Sequence, residues 1–402
     1  MSVLEGKKIV LIVTGGIAAY KTASLVRLLI KRGCKVQVIM TPEAVNFITP
    51  LTLSTLSKNP VYTQFFDGKT GEWTSHVDLA LQADYIVVAP ATSNTLSKMA
   101  SAEADNLALA TYLSAKNIVF FAPAMDLDMY KNPYNKENIE KLIQKGDICI
   151  PPNKGELASG LEGEGRMAEP EEIVNFIENF IRKELLFYKK KILITAGPTY
   201  EPIDPVRFIG NHSSGKMGFE IAKVAEKLGA EVTLISGPCN QKLSNYSSIL
   251  RIDVISSEEM YKAVDAHYQW ADIVIMAAAV ADYRPKTVSK IKIKKEEDSF
   301  SLPLIKNKDI LLHLGNTKDN QFLVGFALET NDEENNALKK LQKKNLDMIV
   351  LNSLRDDGAG FSYDTNKITI LDKQGNIEYF DLQTKEKVAV NILNSIHVRI
   401  KT

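Results

Sequence analysis

Several residue groups in the chain could do chemistry. Thr14-Gly15-Gly16 ends an apolar run and precedes a helical stretch. Such a turn aims backbone N–H groups and a helix N-terminus at one point, which makes a phosphate cradle. The spacing is not G-x-G-x-x-G, and a tight bend without a ligand fits this turn equally well. His76 lies in Thr74-Ser75-His76-Val77-Asp78. Ser75 can cap a helix with Asp78 as its partner, and an imidazole there can accept a proton. On spacing alone, a surface histidine at a helix start is the plainer reading. Gly210-Asn211-His212-Ser213-Ser214-Gly215-Lys216 matches the phosphate loop G-x-x-x-x-G-K. Met217 breaks it, because the motif needs Ser or Thr there to hold Mg²⁺. The loop also follows its strand too distantly. Its glycines and hydroxyls, with Arg207 ahead of a helix, still favour an anion. Lys290-Ile291-Lys292-Ile293-Lys294-Lys295 alternates basic and apolar residues. It reads either as an edge strand with a solvated basic face or as a lysine row facing phosphates. Lys340 and Lys344, four apart, share a helix face that ordinarily means solvated surface.

The elements that hold these residues recur. Ile9–Val13 is an apolar run closed by glycines, as a buried parallel strand requires. A helix over Ala18–Arg32, stopped by Gly33, leads to a strand at Val36–Met40. The right-handed crossover implies a doubly wound sheet. Asp84–Val88 is a further strand and opens into Ala89-Pro90-Ala91-Thr92-Ser93-Asn94-Thr95. Small and hydroxylated residues past a strand's carboxyl end stand where open α/β sheets bind ligands. Val119–Phe121 repeats this arrangement ahead of Pro123–Tyr130. Gly155–Met167, glycine-rich with interspersed charges, reads as a loop, either a lid or a connector. A helix over Glu171–Arg182 and a charged stretch follow, and then the pattern restarts at Lys190.

In the restart, Ile192–Thr195 is a strand, Phe219–Leu228 a helix and Val232–Ile235 the next strand. Asp272–Met276 leads into Ala277–Pro285 and echoes Asp84–Ala91. Strands at Leu323–Phe326 and Met348–Leu351 flank a helix that Thr330-Asn331-Asp332-Glu333 opens as a capping box and that runs through Lys344. The fold class expected is α/β, with two Rossmann-like doubly wound domains. They span 1–183 and 190–402, with 184–189 as the linker.

Of the 402 residues, 49 are basic and 49 acidic, so no charge excess favours nucleic acid or a membrane surface. No apolar run reaches membrane length, and the first residues lack a signal peptide's cleavage region. Cys34, Cys149 and Cys239 are odd in number and widely spaced, which suits a reducing cytoplasm and neither a disulfide scaffold nor a zinc site.

The order GGIAAYK, SHVDLALQAD, APATSNT, APAMDLDMY and GELASG…GEGRM resembles the flavin-dependent cysteine decarboxylases. More narrowly, with RFIGNHSSGKMG, AAVADYRP, KIKK and GFALET in the second half, the chain resembles the bifunctional phosphopantothenoylcysteine decarboxylase / phosphopantothenate–cysteine ligases of coenzyme A synthesis. For the first half the resemblance implies a flavodoxin-like domain with FMN at Gly15, Gly16, Thr92 and Asn94. It makes His76 the base, with the Pro123–Met129 segment and a flap closing over the substrate. A carboxylate beside a thiol-bearing carbon has no electron sink until the thiol is oxidised, which is the flavin's part. The family's flap cysteine is replaced by Ser159 and its asparagine by Asp126. That leaves a slower final reduction, a water relay through Ser159, or Asp126 as proton donor, with Cys149 ranked behind Ser159.

For the second half the resemblance implies a ligase using CTP and Mg²⁺. The carboxylate of 4′-phosphopantothenate is activated as an acyl cytidylate and captured by cysteine. Asn211 falls on the residue that handles the activated acyl group, Arg207 on its neighbour and Lys292 on the essential lysine. Met276, Ala277, Ala278 and Asp282 fall on nucleotide-binding positions. So do Asn307, Lys308 (where proline is usual), Asp309, Ile310, Phe326, Lys340 and Lys344. Relatives of both halves associate, so a homo-oligomer is expected.

Overall fold

In the computed structural model of the protein, residues 2–401 are described apart from 67, 158, 159, 161, 245, 247, 295–300, 330, 331 and 354–362. Two compact units divide the chain, one of residues 2–182 and one from Lys183 on.

The first unit runs β1 (Lys8–Val13), α1 (Thr22–Lys31), β2 (Lys35–Met40), α2 (Pro50–Ser57), β3 (Val61–Tyr62), α3 (His76–Gln82), β4 (Tyr85–Ala91), α4 (Ser93–Ser101), α5 (Leu107–Leu113), β5 (Val119–Pro123), α6 (Leu127–Lys131), α7 (Pro133–Lys145), β6 (Ile148–Cys149), β7 (Asn153–Glu156), β8 (Glu162–Arg166) and α8 (Pro170–Lys183). The sheet is parallel in the order β3-β2-β1-β4-β5-β6. Without the two-residue edge strand β3, this is the flavodoxin-like order. β1 shows no polar alternation because both its faces are covered. Ile9, Leu11 and Val13 enter one apolar core, while Val10 and Ile12 enter the other. Each such side chain contributes about 1.5–3 kcal/mol by leaving water.

The second unit runs β9 (Lys191–Ala196), β10 (Glu201–Pro202), β11 (Phe208–Ile209), α9 (Lys216–Lys227), β12 (Glu231–Ser236), β13 (Leu250–Asp253), α10 (Ser257–Tyr268), β14 (Ile273–Met276), β15 (Tyr283–Pro285), β16 (Leu304–Lys306), α11 (Ile310–Asn316), β17 (Phe322–Glu329), α12 (Glu333–Lys343), β18 (Met348–Ser353), β19 (Thr365–Asp372), β20 (Ile377–Thr384) and α13 (Lys385–Lys401). Its sheet order is β13-β12-β9-β14-β17-β18-β19-β20. The strands from β13 to β18 pair in parallel, and β19 and β20 add antiparallel. α9 and α13 pack on one face of the sheet, and α11 and α12 on the other.

One device fixes strand register in both units. Asp84 accepts the Lys8 N–H at 2.8 Å and returns its own N–H to the Lys8 carbonyl at 2.8 Å. Asp272 does the same to Lys191, and Asp347 to Leu323. An aspartate just before a strand thus holds the first or second residue of its neighbour, which accounts for the echo between the two halves.

The structure corrects several expectations. Ala18–Arg32 is not one helix, since Ile17–Lys21 forms a 3-10 turn ahead of α1. Gly155–Met167 is not an irregular loop, because β7 and β8 pair as an antiparallel hairpin. Residues 290–294 form no strand, so the edge-strand reading of the lysine row fails. α12 begins at Glu333 behind Asp332, whose φ is 47° and whose side chain makes no cap, while Thr330 and Asn331 of the expected capping box lie outside the described residues. Within the stretch expected as the linker, Phe187 is buried in the second unit's core and its N–H meets the Leu228 carbonyl at 2.9 Å.

Candidate active sites

Each unit has a cavity where its strand order reverses, the place expected for ligands in open α/β sheets. In the first unit this point lies between β1 and β4. Past β1, Gly15 lies so close to the backbone that a Cβ would fall 2.6 Å from Glu43 Cβ, so only glycine leaves the turn intact. Past β4, the Thr92 N–H meets Thr14 Oγ1 at 3.3 Å, and Thr14 Oγ1 donates to the Pro90 carbonyl at 2.7 Å. These bonds lock the two turns together. The cavity they border is about 870 Å³. Gly15, Gly16, Thr92, Asn94 and Asp126 all line it.

The opposite wall is the β7–β8 hairpin and the segment before α6. The Met125 N–H donates to the Gly165 carbonyl at 3.0 Å. Asp126 stands at the α6 N-cap position, yet its side chain makes no capping bond. The buried Lys21 Nζ donates to the Met167 carbonyl at 3.0 Å and to Glu169 Oε1 at 2.8 Å. The Lys21 ammonium, supported by Arg166, holds the Glu169 carboxyl below its ordinary range despite partial desolvation. Lys21 therefore fastens the hairpin's base to the turn after β1. It sat in a helical run, where nothing in the sequence marked it as a strut.

One expected member of this site, His76, is elsewhere. His76 begins α3, where Ser75 Oγ accepts the Asp78 N–H at 3.2 Å, but it is not among the cavity's lining residues. Its Nδ1 is buried without a hydrogen-bond partner among the described residues, and Phe65 stands edge-on with ring centroids 5.9 Å apart. Ser159 lies outside the described residues. Cys149 does not line the cavity, and burial pushes its thiol up to about 11.

In the second unit the strand order reverses between β9 and β14, and a cavity of about 480 Å³ lies there. Met276, Ala277, Ala278 and Asp282 line it from the end of β14 onward. Asn307, Lys308, Asp309 and Ile310 line it from the segment entering α11, and Phe326, Lys340 and Lys344 from β17 and α12. Side-chain bonds set the loops. Asn307 Nδ2 donates to the Ala281 carbonyl at 2.8 Å, and its Oδ1 accepts from Arg284 at 2.7 Å. Lys344 meets both Asp309 oxygens, at 3.0 and 2.9 Å. Burial pulls the Asp309 carboxyl upward, but Lys344 and the Leu312 N–H outweigh it and hold the group low. Lys340 pairs with Glu329 at 2.5 Å.

Arg207, Asn211 and Lys292 are not brought into this cavity. Asn211 is bonded to its wall, with Nδ2 donating to the Ala279 carbonyl at 2.6 Å. The Arg207 guanidinium donates to the Ile293 carbonyl at 2.7 Å, and the Ile293 N–H meets Asp204 Oδ2 at 3.1 Å. Arg207 and the lysine row thus form one exposed assembly. Sequence reading missed Asn352, Asn366 and Lys385, which also line the cavity. Lys385 stands in Thr384-Lys385-Glu386-Lys387, where it looks like part of a solvated charge run.

Residues 2–182 match the family model described as Flavoprotein, and residues 187–399 match the DNA/pantothenate metabolism flavoprotein C-terminal domain. The chain is 45% identical over 396 residues to the coenzyme A biosynthesis bifunctional protein CoaBC of Bacillus subtilis (strain 168), covering 98% of this chain and 97% of that one. It is 41% identical over 400 residues to the protein of the same name from Escherichia coli (strain K12), covering 98% of each. It is 53% identical over 354 residues to a cysteine/cysteine sulfinic acid decarboxylase from an unknown prokaryotic organism, covering 87% of this chain and 98% of that one. On its two matched halves, and on relatives alike over nearly its whole length, the chain belongs to the CoaBC family of bifunctional coenzyme A biosynthesis proteins.

Proposed function

We propose that the second unit joins 4′-phosphopantothenate to cysteine at the expense of CTP and that the first decarboxylates the product to 4′-phosphopantetheine. One observation carries this reading. Each unit has its own cavity at a switch point; residues to which the resemblance gives a flavin role line one, and residues to which it gives a nucleotide role line the other. The flavin-binding part ends near Arg182, and the ligase part begins by Phe187.

FMN, when bound, supplies the oxidant for the substrate thiol and returns the electrons at the end. The first cavity suits it in size and in the close glycine turn at Gly15. Gly15, Gly16, Thr92 and Asn94 hold its polar end. The hairpin and Met125 cover the substrate and keep water out. His76 removes a proton, and Asp126 supplies one to the decarboxylated product.

In the second cavity CTP enters as its Mg²⁺ complex, the usual state of a nucleoside triphosphate. A carboxylate oxygen of phosphopantothenate attacks the α-phosphorus, and pyrophosphate leaves. The cysteine amine then attacks the acyl carbon, and CMP leaves. Lys340, Lys344 and Lys308 offset the triphosphate's charge, Lys292 closes over the site with Arg207, and Asn211 positions the acyl group.

The protein works as a homo-oligomer. Phe66, Trp73, Val77 and Leu81 are exposed around His76, and Val206, Phe208 and Ile291 around Arg207 and Lys292. Association would cover both surfaces, and it would let His76 reach the cavity of another copy. Among the described residues no helix is long and apolar enough to cross a membrane. The cytoplasm is the compartment proposed.

The test is to supply phosphopantothenate, cysteine, CTP and Mg²⁺ and to identify the products by mass. Phosphopantetheine supports both activities, whereas accumulation of the cysteine adduct would remove the decarboxylase assignment. A second reading follows from the 53% identical relative: the first unit decarboxylates free cysteine or cysteine sulfinate. Release of CO₂ from either compound without CTP would favour it. Lys292→Gln should abolish ligation while decarboxylation of supplied cysteine adduct continues.

A further inference from the structure

We propose that Glu169 is a positioning residue for decarboxylation: its carboxylate fixes the base of the β7–β8 hairpin and so sets how that hairpin closes over the first cavity. The inference rests on the decarboxylase reading. Glu169 stands just before α8, a helix that enters the first unit's core with Ile173, Val174, Ile177 and Ile181. Its own carbonyl accepts the Ile173 N–H at 3.0 Å, which makes it the residue that starts the helix. Its side chain is therefore carried by a firmly packed element.

A single oxygen of Glu169 ties two walls of the cavity together. Oε1 accepts from Lys21 Nζ at 2.8 Å and from Arg166 at 3.0 Å. Lys21 closes the 3-10 turn that follows the Gly15-Gly16 bend, and Arg166 ends β8. Both line the cavity. The other strand of the hairpin is held from the same helix turn. Glu172 Oε2 accepts the Glu169 N–H at 2.8 Å and also accepts from Asn153 Nδ2 at 2.5 Å. Asn153 begins β7 opposite Arg166. Glu172 reaching back to the Glu169 N–H is half of a capping box, put here to a second use.

Charge makes this joint firm. Lys21 is 6% exposed, and an ammonium so far from water depends on its partner carboxylate. Lys21, and then Arg166, keep Glu169 ionised at neutral pH. Nearer the substrate, the Met125 N–H bond to the Gly165 carbonyl joins the same β8 strand to the segment before α6. The hairpin is thus held at its base by Glu169 and Glu172 and along β8 by Met125. Misplacing a reacting group by about 1 Å costs on the order of a hundredfold in rate. A joint at the hairpin's base therefore reaches the chemistry, although Glu169 does not itself line the cavity.

Glu169→Gln in the flavin-loaded full chain tests the joint, with Glu171→Gln as the control for removing a charge from the start of α8. For phosphopantothenoylcysteine, kcat/KM should fall about tenfold, mostly through KM, as loss of a charge-assisted bond allows. Trypsin cutting after Lys154 should quicken by a similar factor, because cleavage follows the open population. Lys154 lies in β7 and pairs with Glu164, so its cutting reports on the hairpin and not on the Glu169 contact itself. Flavin absorbance and ligation should not change. An unchanged kcat/KM overturns the proposal. So does a fall in kcat/KM with unchanged cutting at Lys154, which would mean that Glu169 acts other than through the hairpin. Loss of flavin would assign Glu169 to the turn after β1 and overturns it as well. If Glu169→Gln does not fold, Lys21→Met with Glu169→Gln removes the buried ammonium too. Fast cutting at Lys154 is again expected there, and cutting at the wild-type rate would refute the joint. Proteolysis needs no turnover. A wild-type protein whose Lys154 is protected but which releases no CO₂ from the adduct would therefore refute the decarboxylase reading separately.

Discussion

The Met125 N–H donates to the Gly165 carbonyl at 3.0 Å, and this bond joins the segment before α6 to the β7–β8 hairpin. Gly165 has φ 132°, and a Cβ there would fall 2.4 Å from the Met125 carbonyl oxygen. Gly165→Ala therefore has to break the contact or strain the backbone by about 1–3 kcal/mol. Decarboxylation should fall at least about tenfold, since loss of one positioning contact is worth that much. Ligation should persist. Flavin absorbance of the purified variant, CO₂ release and adduct formation measure the three effects. Full decarboxylase activity would show that the hairpin does not organise the substrate.

Asp126 lines the first cavity and leaves its N-cap role unfilled. Its carboxyl is thus available to the substrate. With Asp126→Asn, CO₂ release should continue while the reduced aminothiol fails to accumulate. Mass analysis of the products distinguishes an oxidised decarboxylated species from phosphopantetheine. Reduced product at the parent rate would exclude Asp126 as the donor.

His76 begins a helix beside an exposed aromatic surface and does not line its own chain's cavity. If it serves another copy, two inactive variants should rescue each other. His76→Asn keeps the cavity, whereas Gly15→Val fills the close turn and should lose flavin but keep His76. Each should release no CO₂ alone. Co-expressed, they should regain a measurable fraction, because some sites combine an intact cavity with an intact histidine. No recovery in a verified mixed oligomer would place His76 in its own cavity.

The central strands were legible because β1 and β9 are buried on both faces, and burial writes unbroken apolar runs into sequence. The glycine turn after β1 was legible as an anion site, though not as a flavin site without the family resemblance. What stayed hidden depends on distant partners. Lys21 and Lys385 are buried lysines in stretches that look like helix surface or charge run, and only contacts far along the chain give them roles. The β7–β8 hairpin was hidden because its glycines and charges mimic a loop. β20 is largely exposed, and with Phe380 packed against the core its apolar residues give only a weak buried face to read. His76 was found, but the sequence gives no sign that it stands away from its own chain's cavity.

Asp347 offers a test of how the second unit is held together. It is 5% exposed, accepts the Leu323 N–H at 2.8 Å, and pairs with Lys318 at 3.0 Å and Lys373 at 2.7 Å. Burial raises its pKa, but the Leu323 amide and the two ammonium groups outweigh that and hold it below 3.8. A folded pKa below the unfolded one gives stability that is complete above the unfolded value and is lost as pH falls through the folded value. Asp347→Asn keeps one acceptor for Leu323 but leaves Lys318, largely buried, without its partner charge. The cost should be roughly 3 kcal/mol at neutral pH, as for other broken buried pairs. Because the benefit requires the ionised carboxylate, the gap between wild type and variant should be constant above about pH 5 and close progressively below the ordinary aspartate range. Denaturant melts of the second unit's transition from pH 7 to pH 3 measure it. A gap that stays constant down to pH 3 would mean that the Asp347 charge contributes nothing and that its hydrogen-bonding shape alone holds β17 to β18.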